Sequence, residues 1–144
     1  MVIKRTSHAV YDTRYHIVWA PKYRKWILRG DIRDFVERCF AGIASSNKYE
    51  TYIMEIAEDH VYIFLGFPLR YSISEVVQRL KGISAGEILK RYPEVTEELW
   101  GGEFWEDGYF VRTVGDKVTS DVIKKYIQYH RHEEKNPGQL KLGF

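Results

Sequence analysis

Tyr49-Glu50-Thr51-Tyr52-Ile53-Met54-Glu55-Ile56-Ala57-Glu58-Asp59-His60-Val61-Tyr62-Ile63-Phe64-Leu65-Gly66-Phe67 holds two apolar runs around a charged centre. Both runs are rich in β-branched and aromatic residues, which suit a pleated, half-buried surface. In the second run, period two puts Val61, Ile63, Leu65 and Phe67 on one face and His60, Tyr62, Phe64 and Gly66 on the other. Acidic Glu58 and Asp59 mark a tight turn between them. Residues 49–57 and 60–67 therefore read as neighbouring strands.

The flanking segments change period. Upstream, Ile32, Phe35, Val36, Cys39, Phe40, Ile43 and Ala44 recur at helical spacing and predict a helix over 31–46. Before it, residues 9–20 alternate as a strand that Pro21 ends. Downstream, Ser72 and Glu75 form a capping box at the head of a helix over 72–90, whose stripe is Ile73, Val76, Val77 and Leu80. A Trp/Gly-rich connection, 100–107, leads to a last strand over 108–114. A final helix over about 119–134, capped by Thr119 or Ser120, turns Val122, Ile123, Tyr126, Ile127 and His130 inward. The order strand, helix, strand, strand, helix, strand predicts an α+β, ferredoxin-like split βαβ fold. We expect a four-stranded antiparallel sheet with helices on one face, plus an added C-terminal helix. Residues 1–135 then form a single domain and 136–144, opening with Asn136-Pro137-Gly138, a flexible tail. Many unrelated functions share that scaffold.

Composition narrows the class. The chain has 144 residues, 44% hydrophobic and 29% charged, an ordinary globular mixture. A net charge of +2 says little about a polyanionic partner, whereas the local run Lys22, Arg24, Lys25, Arg29 interleaved with Tyr23 and Trp26 could neutralise phosphates and stack bases. Taken alone, that run equally fits a solvated loop. Cys39 is the only cysteine, which excludes a disulfide framework and a cysteine zinc cluster and fits a reducing cytoplasm. Met1 to Ser7 lacks an apolar signal core, and Val61 to Phe67 is too short to span a bilayer. We expect a cytoplasmic protein with no membrane partner.

Two groups of residues could carry chemistry. His60 and Tyr62 share a strand face, as two ligands of one divalent cation would. On the last helix, Tyr126 and His130 lie one turn apart on one face. A phenol beside a held phosphate can attack phosphorus, although its pKa of about 10 calls for a nearby cation. A core tyrosine and a hydrogen-bonded structural histidine satisfy the same spacing, so spacing alone leaves both readings open.

The sequence as a whole resembles the single-tyrosine HUH transposases of the smallest insertion sequences, from about Tyr15 to His130. The matching pieces are Tyr15-His16-Ile17-Val18-Trp19 with Pro21-Lys22-Tyr23-Arg24, then Asp59-His60-Val61, then Val77-Gln78-Arg79-Leu80-Lys81-Gly82. Leu99-Trp100-Gly101-Gly102, Trp105, Gly108-Tyr109-Phe110-Val111-Arg112-Thr113-Val114-Gly115-Asp116 and Lys125-Tyr126-Ile127 follow. Their order and spacing together make the resemblance specific.

The resemblance implies roles residue by residue. Tyr126 matches the nucleophile that attacks the scissile phosphate of single-stranded DNA at a hairpin-marked element end, staying joined to the 5′ phosphate and freeing a 3′ hydroxyl. His60 matches the first HUH histidine, and His130 stands at the third ligand position, commonly Gln. Tyr62 stands where the second histidine belongs, and a neutral phenol is a poor ligand for a hard cation. Asp59, Glu55 or water are the alternatives for completing the site. The cofactor implied is Mg²⁺ or Mn²⁺. The partners implied are single-stranded hairpin DNA and a second copy of the chain, exchange of the C-terminal helix being one arrangement of the homodimer, with Gly115 as its hinge. Arg14, Lys22, Arg24, Lys25, Arg79 and Lys81 are the candidate DNA contacts. Two other readings compete: a catalytically impaired hairpin-binding protein derived from such a transposase, and a metal-dependent nuclease that uses water.

Overall fold

The computed structural model describes residues 3–22, 27–95, 103–113 and 117–135, with side chains as far as residue 128. The chain divides into two units, Met1–Val114 and Gly115–Phe144.

In the first unit a small ribbon of β1 (Lys4–Arg5) and β2 (Val10–Tyr11) precedes β3 (Arg14–Trp19). Helix α1 (Gly30–Ser46) leads to β4 (Glu50–Ile56), which turns into β5 (Val61–Gly66). Helix α2 (Ile73–Arg91) then leads to β6 (Phe110–Arg112). The main sheet has the order β4-β5-β3-β6 with every pair antiparallel. That is the expected split βαβ arrangement: the two strands central in the sheet, β3 and β5, each follow or precede a helix crossover.

The expected inner face is the core. Ile17, Trp19, Val61, Ile63 and Leu65 are at most 1% exposed and join Val36, Phe40 and Ile43 of α1 and Val76, Val77, Leu80 and Ile88 of α2. Each such aliphatic or aromatic side chain contributes about 1.5–3 kcal/mol on burial. Trp19 and Phe40 meet edge to face at 5.6 Å, and Trp105 stacks on Phe40 at 5.9 Å. Trp105 and Phe104 reach this core because their segment runs beside the end of β3: Lys22 N–H donates to the Phe104 carbonyl at 2.7 Å, and Glu106 N–H to the Ala20 carbonyl at 2.9 Å. The capping box forms, with Ser72 Oγ accepting from the Glu75 N–H at 3.1 Å and donating to its carboxylate at 3.2 Å.

Two features differ from the sequence expectation. The strand expected over 9–20 is broken at Asp12–Thr13, because Val10–Tyr11 pairs with Lys4–Arg5 in the separate ribbon. The strand expected over 108–114 is confined to 110–112, where it pairs with His16, Ile17 and Val18. The expected tail, 136–144, lies outside the described residues.

In the second unit, α3 (Ser120–Lys135) starts where expected. Thr119 Oγ1 accepts from the Val122 N–H at 3.4 Å, and Asp121 places negative charge in the first turn, where the helix dipole favours it.

Candidate active site

The second face of the sheet carries His60 and Tyr62. A turn closed by the Ala57 N–H, which donates to the His60 carbonyl at 2.9 Å, delivers His60 to the head of β5. His60 Nδ1 lies 2.9 Å from Asp59 Oδ1, with the two side chains 16% and 30% exposed. A carboxylate oxygen accepts, so the hydrogen in this contact lies on Nδ1, and Nε2 is the ring nitrogen left to face an ion. This is the carboxylate–imidazole arrangement that orients histidines toward a metal ion. At His60, then, the residues present fit a divalent cation.

Tyr62, two residues further along the same face, does not fit in the same way. It is 0% exposed, and its hydroxyl shares a 2.8 Å hydrogen bond with Nδ1 of His16, itself 2% exposed. The strand register brings the two together: Val18 pairs with Tyr62 and His16 with Phe64. The His16 ring stacks on Phe64 at 4.1 Å with the planes 5° apart. Glu55 is the cross-strand partner of Tyr62, and its side chain is exposed. Among the described residues no three His, Cys, Asp or Glu side chains come together to hold a metal ion. The His130 side chain lies outside those described.

Tyr126 lies on α3, with Ile123 one turn before it, and both side chains are buried while Lys125 is exposed.

The structure draws each described basic candidate to a protein partner. Arg14 makes two bonds to the Asp12 carboxylate, at 2.6 and 2.7 Å, and lies over the rings of Tyr52 and Phe64. Its register partner is Gly66, at the opposite end of β5 from His60, where a Cβ would come within 3.2 Å of Arg14 Cγ. Lys22 pairs with Glu103 at 3.0 Å. Arg79 bonds Asn47 Oδ1 at 2.7 Å and covers the Tyr71 ring at 5.2 Å. Lys81 donates to the carbonyls of Glu106 and Gly108, at 2.8 and 2.5 Å, at the edge of a cleft of about 450 Å³ between α2 and the 103–109 segment. Burial pushes the Lys81 ammonium down to about 8, against the opposing pull of Asp107 and Glu106. Arg24 and Lys25 lie outside the described residues.

Sequence reasoning gave His16 no role. The signal available was its alternation with Ile17, which turns it away from the core; its partner could be found only with the strand order. Trp105 is a packing residue, 6% exposed, and its indole N–H donates to Ser84 Oγ at 2.9 Å.

A family model for IS200-like transposases matches residues 9–130, a span that includes both His60 and Tyr126. The chain belongs to the IS200-like transposase family. It is 34% identical over 132 residues to the ISDra2 transposase TnpA of Deinococcus radiodurans, covering 92% of this chain and 94% of that one. It is 29% identical over 141 residues to the transposase for insertion sequence element IS200 of Salmonella typhimurium, covering 98% and 91%. Among solved structures, a presumed transposase from Deinococcus radiodurans superposes with a TM-score of 0.76 at 30% identity, covering 90% of this chain and 97% of that one. A REP-associated tyrosine transposase bound to a REP hairpin gives 0.54 at 10% identity, covering 90% and 73%, and shares the fold. The insertion-sequence family and the four-stranded antiparallel fold expected from the sequence are thereby established. No helix among the described residues is long and apolar enough to cross a membrane.

Proposed function

We propose that this transposase cleaves and rejoins single-stranded DNA at hairpin-marked element ends, with Tyr126 as nucleophile and His60 and His130 as the main ligands of Mg²⁺ or Mn²⁺. The observation that carries the proposal is the family match over residues 9–130, which spans all three residues. The Asp59–His60 pair supports it, since it sets the imidazole in the tautomer a cation needs. Hairpin recognition is carried over from the structural neighbour bound to one.

In the proposed reaction the Tyr126 oxygen attacks the scissile phosphorus and loses its phenolic proton. A phosphorus–oxygen bond forms to the tyrosine as the bond to the 3′ oxygen breaks, and that oxygen takes up a proton as the free 3′ hydroxyl. The phosphotyrosine ester conserves the bond, so a 3′ hydroxyl can later reverse the step and join strands without an external energy source. A bound cation would supply charge stabilisation at the phosphoryl oxygens. His60 would hold such an ion through Nε2, while its Nδ1–H donates to the Asp59 carboxylate. The chain acts as a homodimer in this proposal.

The environment of Tyr62 favours a second reading, a hairpin-binding protein whose chemistry is impaired. A denaturing gel of the protein mixed with the element-end hairpin and Mn²⁺ separates the two. A metal-dependent covalent adduct, lost in Tyr126→Phe with hairpin binding retained, supports the transposase mechanism. Hairpin binding without adduct in the unaltered chain supports the second reading.

A further inference from the structure

We infer that Tyr62 is not a cation ligand in this chain but the buried partner of His16, so that β5 offers a cation one imidazole, His60, where two are expected. The inference rests on the metal-assisted reading above. Three observations carry it. The Tyr62 hydroxyl is bonded to Nδ1 of His16 at 2.8 Å, which turns it toward the neighbouring strand β3. Exposure falls along the face, from 16% at the His60 side chain to 0% at Tyr62, so a hydrated ion approaches at the head of β5 and not above its middle. The His16 ring is held from its other side by stacking on Phe64 at 4.1 Å, so the pair sits in a fixed aromatic layer that spans β3 and β5.

The consequence is a weaker cation site that a single substitution strengthens. Mn²⁺ binding is measured by electron paramagnetic resonance on the full chain without DNA, for the unaltered protein, Tyr62→Phe, Tyr62→His and His60→Ala. Binding that depends on His60, stays unchanged within about twofold in Tyr62→Phe and tightens at least about tenfold in Tyr62→His is the expected result; tenfold is the lower end of what even an outer-shell partner of a metal ligand is worth. Should Tyr62→Phe fail to fold, the gain in Tyr62→His decides. A His60-dependent affinity that Tyr62→Phe weakens, or that Tyr62→His leaves unchanged, overturns the assignment of Tyr62 while leaving the metal-assisted reading intact. Absence of His60-dependent binding in both the unaltered chain and Tyr62→His overturns that reading and the inference with it.

Discussion

Replacing Tyr62 with Phe removes one hydroxyl from a pair whose members are 0% and 2% exposed. The 2.8 Å bond disappears, and His16 Nδ1 loses its phenol where bulk water cannot replace it. A buried polar group deprived of a partner costs about 1–3 kcal/mol. At ~2 kcal/mol, and about 2–4 °C per kcal/mol for a chain of this size, Tm falls by about 4–8 °C. His16→Phe makes the complementary change: the phenol stays buried, and an aromatic ring still stacks on Phe64, so the loss is similar. The double variant removes both ends of this bond while keeping both rings, and removing a bond from both ends is less costly than removing one end alone. The double-mutant cycle should therefore show a coupling of about 1–2 kcal/mol, the double variant being more stable than the summed single losses allow. Urea unfolding followed by tryptophan fluorescence, with metal chelated so that ligand binding does not contribute, measures all four proteins. Additivity within about 0.3–0.5 kcal/mol would refute the claim that these two residues act as a pair.

Other consequences are as specific. Asp59→Ala frees the His60 ring and its tautomer, so Mn²⁺ affinity should drop about 10–100-fold, with little change in stability because the Asp59 side chain is 30% exposed; calorimetric titration checks the affinity and urea unfolding the stability. Lys81 has a folded pKa of about 8 against an ordinary 10.5. Between those values the unfolded chain binds the proton that the folded chain has released, so this residue's contribution to stability rises with pH and is lost as pH falls through about 8. Lys81→Met should abolish that slope, and equal pH dependence of the urea midpoints in the two proteins would contradict the burial argument. If Arg14 is reserved for Asp12 and the aromatic rings beneath it, Arg14→Gln should weaken hairpin binding no more than about twofold and leave its salt dependence unchanged, since a phosphate contact would lower the slope by about one.

How far the sequence was legible follows from the range of the interactions involved. Local periodicity gave the elements: alternation in 60–67 separates Val61, Ile63 and Leu65 from Tyr62 and Phe64, and the structure keeps that division. Local capping gave the helix heads, since Ser72 and Thr119 each act within three residues. The break at Asp12 escaped because alternation continues through it; what ends the strand is pairing of Val10–Tyr11 with Lys4–Arg5, a choice between two partners that no single strand reveals. The sequence offered Asp59 as a turn residue and as an alternative ligand, but not as the carboxylate that orients the His60 ring, a role that only the geometry of the pair reveals.

The basic residues show the same limit in another form. A charge pattern identifies side chains that could meet phosphate, yet Arg79 finds Asn47 from the end of α1 and Lys81 finds two backbone carbonyls, acceptors that carry no signature in a sequence. Position 62 is where the two scales meet. Its mismatch with the family motif is visible in one residue, but what the tyrosine does instead depends on His16, 46 residues away and brought alongside only because β3 lies between β5 and β6. A phenol extends past the point where an imidazole ends, and that added reach lets position 62 bond across the strand pair to a second ring. Position 62 thus carries a side chain that faces His16 on the neighbouring strand, and on the proposed metal-assisted reading the cation site would be changed by that geometry and not by loss of the fold.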